Sequence, residues 1–507
     1  MKRPSPSLIA VVTALAAVTG FAALTAPGEP GAASAAPAPQ AARLPVERTS
    51  LLCPAPSTSD VAETLTTSYT PPGATAAAAA GTTAPKPSAV LGLAKNPDAP
   101  ALKKGAKAPG TVTAPGTPVA AEADGAVTHG LTGTATGTLA PGWTVQQTTV
   151  VPAGAARGLL GVTCSAPDTD LWFPAVSTAK GRTDYIHLTN PDDDIAVADI
   201  ELYGPEGELK TTIERDGLDV PPHSTTAVRL STLLSESPHE NLTAHVSTRA
   251  GRVGAALGSA TDGVGSDWLS ASADPAARLV LPGIPADATG VRLVAFAPGD
   301  SDADLKIQLA TANGTIVPAA AESLHVKAGM TAFVDLPDLT RGAAASLLLT
   351  PTDPKKQVPV VAALKVVRGK GSDTEMAFIP AAAPITGRAT VADNRAKGTA
   401  LALTAPEAAA QVKVTASAGT EGGTPATRTV SLKAGTTTVL TDLAPKDVKG
   451  SYALTVEPVA GGGPVYASRA LTLPEDGIPM FTVQTLVDDR GTVEVPAARR
   501  DITVLDD

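Results

Sequence analysis

Six histidines and a surplus of acids are the side chains of this 507-residue chain best suited to chemistry, and metal binding is the chemistry they would do. His239-Glu240 with His245 has the outline of a zinc motif, but a helical His-Glu-x-x-His needs histidine at 243, where Thr243 stands. In an extended strand, residues six apart lie about 20 Å from each other, too far to share one ion. His129, His187, His223 and His325 are scattered along the chain, so the histidines read as turn and surface residues. The acids are better grouped. Asp192, Asp193 and Asp194 follow Asn190-Pro191, and Asp300, Asp302 and Asp304 stand at the corresponding turn further on. These are the chain's calcium candidates, although the second turn has Leu305 and Thr311 where an EF-hand loop needs its Gly and Glu. Solvated hairpin tips that discourage edge pairing account for the same residues, and no other cofactor is expected.

Covalent chemistry finds less support. There is no Gly-x-Ser-x-Gly elbow, and Gly369-Lys-Gly-Ser372 lacks the first glycine of a phosphate loop. Nothing singles out a carboxylate pair for glycoside hydrolysis among the 49 acids. A glycan platform would need an exposed aromatic. Trp172 and Trp268 read as one repeat position, which later repeats fill with Met376 and Phe378 and with Met480 and Phe481, so they are expected in cores or between units. Trp143 lies in a turn signature and is the more exposed candidate for touching a ligand. Asn241-Leu-Thr243 and Asn313-Gly-Thr315 fit the glycosylation pattern, which short sequons often meet by chance.

The N-terminus reads as an export signal over residues 1–35: Lys2 and Arg3, an uncharged run from Leu8 to Leu24, then Ala33-Ser-Ala35, with retention as an N-terminal anchor as the alternative. That segment is the only long helix candidate and the only expected membrane contact. In an exported chain, Cys53 and Cys164 are expected to form a disulfide, a staple and not a redox centre because no Cys-x-x-Cys spacing exists. The formal charge of -10 and the absence of a basic stripe argue against nucleic acid as a partner.

These residues must be held by a repeated β framework. Pro191, Pro298 and Pro406 each follow an alternating strand and are spaced by 107 and 108 residues. A second alternating strand and then a turn signature follow each: Val220-Pro-Pro-His223, Val326-Lys-Ala-Gly329 and Leu432-Lys-Ala-Gly435, with Leu139-Ala-Pro-Gly142 as a shortened form in the first unit. Repeats of this length suit immunoglobulin-like antiparallel sandwiches better than a solenoid. The expected organisation is a flexible leader over 36–48, then four sandwiches at 49–170, 171–276, 277–383 and 384–507, each able to fold around its own core. An Ala/Pro/Gly-rich insertion at about 71–118 in the first unit buries little and is expected to be disordered. One helical turn is allowed at Ser231-Thr-Leu-Leu-Ser-Glu236.

The Leu-Leu-Cys-Pro54 opening, Cys164 followed by Asp170-Leu-Trp-Phe-Pro174, the Asn190-Pro turn and the composition together resemble a family of exported actinobacterial proteins of unknown function. The resemblance implies an envelope or extracellular setting and no established activity. The expected function is a non-catalytic secreted or cell-surface structural and binding protein that meets cell-envelope glycan or protein. The alternatives are a hydrolase of envelope polymers and a ligand-binding accessory to envelope assembly.

Overall fold

The computed structural model describes residues 42–73, 86–97, 110–212, 216–234 and 238–495, so the export segment, residues 36–41 of the leader, and residues 74–85 and 98–109 of the expected insertion lie outside the described residues. No α-helix occurs among them; the only helical pieces are single 3-10 turns at Gly137–Leu139 and Leu230–Thr232, the second where one turn was allowed. No helix among them is long and apolar enough to cross a membrane.

Residues 45–493 form one compact body of antiparallel sheets, all of them open and arranged two to a unit. The ends Ala42–Pro45 and Thr492–Val495 pair in a separate two-stranded ribbon. In the second unit, Arg182–Thr189, Thr225–Arg229, Gly254–Thr261 and Gly265–Leu269 make one sheet; Asp170–Val176, Ala196–Gly204 and Leu242–Ala250 form the body of the other. The third and fourth units repeat this order. Ala196–Gly204 shows why the sequence makes sandwiches: Ala196, Ala198, Ile200 and Leu202 are buried while the residues between them are half-exposed, the period-2 burial of a strand with one face on a core.

The first unit departs from expectation. Its 71–118 segment is not a featureless insertion: Ser88–Leu93 pairs with Leu131–Thr136 in the place that Ala196–Gly204 occupies in the second unit, with Ala89 and Leu91 buried. Leu139–Gly142 also proves misaligned. It leads into Thr144–Val151, which pairs with the closing strand as Gly254–Thr261 does in the second unit, whereas Val220–His223 there leads into a different strand.

The closing strand of each unit is short and buried on both faces: Gly158–Thr163, Gly265–Leu269, Glu375–Pro380 and Phe481–Thr485. Both faces are covered because each packs against the closing strand of the next unit, and the fourth packs against the first. The four sandwiches therefore form a closed ring around these strands and do not run as a string. Their cores are joined as well. Met376 and Phe378 of the third unit belong to the second unit's core, and Phe481 and Val483 of the fourth belong to the third's, which corrects the expectation of four self-sufficient cores.

Candidate functional site

At the ring axis the strands bring polar groups into the buried interior. Asp267, fully buried on the second closing strand, accepts hydrogen bonds at Oδ1 from the Gly161 amide of the first unit (3.1 Å) and the Thr482 hydroxyl of the fourth (2.9 Å). Burial pushes its carboxyl well above the usual carboxylate range, and Oδ2 has no partner among the described residues. Glu375 opens the third closing strand. Its Oε1 accepts from the Met376 amide (2.9 Å), its Oε2 has no partner among the described residues, and burial raises it to about 8. A Cβ on Gly265 would fall 1.8 Å from Glu375 Oε1, so only glycine lets this carboxyl lie against the second unit. Arg469 is fully buried, with none of its guanidinium nitrogens hydrogen-bonded among the described residues, and burial lowers it to about 10. Arg157 of the first unit ties this region together by donating to the carbonyls of Val264 and Thr374, one on each of the next two units.

Beyond the ends of the closing strands the ring opens into a cavity of about 1080 Å³. Residues 163–167, 270–274, 381–383 and 484–490 contribute to its wall, one segment from each unit. Its walls carry eight aspartates against three arginines, a formal balance of five negative charges with histidines neutral. Several of these acids are committed to partners. Asp192 is gripped in a bidentate pair by Arg252 (3.0 Å for both bonds), which holds its carboxyl below the usual range; Asp193 meets His223 Nε2 (2.7 Å), and Asp489 pairs with Arg388. Asp194 and Asp274 are exposed and carry no side-chain partner among the described residues. His187 lines the wall edge-on to Trp268, with ring centroids 5.0 Å apart. Burial lowers it to about 4 and keeps it neutral at physiological pH, and Nδ1 has no partner among the described residues.

The residues singled out from the sequence fall as follows. Cys53 and Cys164 form the disulfide, which joins the end of the first unit's opening strand to the residue after its closing strand. Asp192, Asp193 and Asp194 lie on the cavity wall, whereas Asp302 and Asp304 face His325, at 3.7 and 2.7 Å, and Asp300 lies on the same turn. Among the described residues no three His, Cys, Asp or Glu side chains gather as metal ligands. Trp143 is not exposed. It is 3% accessible because it packs on Gly133 and Leu91 and donates from Nε1 to Ser68 Oγ (2.9 Å); its edge reaches the cavity wall.

Trp172 and Trp268 do not share a repeat position. Trp172 lies on an opening strand and stacks on His245 of its own unit and on Phe296 of the next, while Trp268 lies on a closing strand against Val151, Leu160 and Val162 of the first. Asp267, Glu375, Lys365 and Arg469 were missed by sequence reasoning. Their one signal is a charge inside an otherwise apolar strand, as in Val361-Ala-Ala-Leu-Lys-Val-Val-Arg368.

Fold and site together define an all-β protein of four fused antiparallel sandwiches closed around a shared polar mouth. Residues 119–442 match the family of unknown function DUF5719, and this chain belongs to that family. No curated protein matches it.

Proposed function

We propose that this protein is a non-catalytic, exported binding protein of the cell surface or envelope, and that the axial mouth is where it takes its ligand. The observation that carries the reading is the cavity of about 1080 Å³, to whose wall all four units contribute. A row of independent sandwiches would serve as a spacer without such a mouth. The volume lies at the upper end of small-molecule sites and suits a segment of a larger molecule. Asp192, Asp193 and Asp489 are held by Arg252, His223 and Arg388, an arrangement that fixes the walls and spends these acids on structure. The net negative lining favours a ligand segment with positive charge, carried by envelope protein or amine-bearing glycan. The Cys53–Cys164 disulfide supports an oxidising, extracellular address.

The test is retention of residues 36–507 on isolated cell envelope, with purified glycan and envelope protein as separate arms. The Asp194→Asn, Asp274→Asn double variant, changed only at exposed rim positions, is expected to be retained less and with a weaker salt dependence. Equal retention of the two proteins at every salt concentration would remove the mouth from the mechanism.

A further inference from the structure

A second, chemically opposite cleft lies between the second and third units. On Val361–Arg368, Leu364 and Val366 enter the third unit's core, while Ala363 and Val367 pack on the second unit's core. Alternation therefore turns Lys365 toward the second unit as well. Its cross-strand neighbour is Arg292, and Arg182 and Lys180 approach from the second unit. These four cations and a single carboxylate, Glu240, line a cleft of about 110 Å³, roughly the room of three or four water molecules.

The two arginines are matched. Arg182 Nε donates to Asp184 Oδ1 (2.9 Å), and Arg292 grips Asp335 through two bonds (2.6 and 2.9 Å) with Glu240 Oε2 at 3.6 Å. Lys365 is not. Among the described residues its ammonium, which has three donors to place, meets only Thr261 Oγ1 at 3.2 Å. Burial, and then the nearby Arg182 charge, hold it down to about 8 against the weaker pull of Asp184 and Glu240. A fold that needed only adhesion here would gain by filling the position with an apolar side chain, because a largely desolvated charge without an ion pair is a net cost.

We propose that this cleft is a binding site for one tetrahedral oxyanion, a phosphate or sulfate group, held by Lys365 Nζ with Arg292 and Lys180 around it. Such a group supplies the acceptors the ammonium lacks and offsets the crowding of like charges. The volume admits the oxyanion and excludes a sugar ring or a peptide segment. The site is separate from the axial mouth and stands or falls independently of the ligand proposed there.

The experiment is calorimetric titration of the folded chain, residues 36–507, with inorganic phosphate, sulfate and glycerol 1-phosphate at pH 7, with ionic strength held constant by sodium chloride. One oxyanion per chain is expected. Lys365→Met is expected to weaken binding about tenfold or more, the loss of a charge-assisted bond. Lys180→Ala, an exposed change that leaves the packing intact, is expected to weaken it about threefold. The thermal midpoint of Lys365→Met without anion should equal or exceed that of the parent, which separates lost binding from lost folding. Binding of glycerol 1-phosphate as tight as that of phosphate identifies the group as part of a larger molecule; binding of the inorganic ions alone identifies a free ion. No uptake beyond the chloride control, or equal affinity in both variants and the parent, overturns the proposal.

Discussion

Glu375 offers the sharpest test of how the ring is held together. The carboxyl is fully buried where the second and third closing strands meet, and it is raised from 4.5 to about 8 chiefly by that burial, with the Met376 amide and Arg157 pulling the other way. The folded protein therefore keeps this proton at pH values where the unfolded chain has released it. The stability this group contributes is fully present below pH 4.5 and is lost as pH rises toward 8, at about 1.36 kcal/mol per pH unit, about 5 kcal/mol over the whole interval. Glu375→Gln removes the titration and keeps the shape. The new amide brings two N–H donors to a place where the neutral carboxyl brings one O–H, none with an acceptor among the described residues, so relative to the neutral carboxyl the variant loses about 1–3 kcal/mol. In urea unfolding at a series of pH values, the variant should be the less stable at pH 4.5 and the more stable at pH 8, with the curves crossing between. Parallel curves would refute the claim that a neutral carboxyl sits in this junction.

His187 should act with the opposite sign. Burial lowers it from 6.5 to about 4, so the stability it contributes is present above pH 6.5 and is lost as pH falls toward 4, about 3 kcal/mol in all; His187→Phe should remove that acid loss in the same urea series, and an unchanged acid limb would count against it. Replacing both Cys53 and Cys164 with Ala opens a loop closed across 111 residues and should lower stability by about 4–5 kcal/mol in the chain-entropy view. Chemical unfolding of the oxidised parent and the double variant measures the difference directly.

The sandwiches of the second to fourth units were legible because Ala196–Gly204, Ala303–Thr311 and Ala410–Gly419 alternate cleanly, and because proline ends the strand before each of them. Ser88–Leu93 was hidden because only Ala89 and Leu91 point inward there, within Ala, Pro and Gly composition that carries no period. Trp143 misled because a turn signature speaks of the backbone and not of the pocket beside it, here the space over Gly133. The axial mouth was not legible at all. It depends on the closing strands packing against one another, and a strand buried on both faces looks in sequence like any short apolar run. Charges such as Asp267 and Lys365 interrupt those runs, but their meaning rests on partners 100 or more residues away, Thr482 for one and Thr261 for the other.

The Val46 amide donates to the Gly491 carbonyl at 3.1 Å, so the polypeptide leaves the compact body at nearly the point where it entered. Tension applied through both ends would first load this single junction and pass the sandwiches by, unlike beads on a cord, which stretch in series.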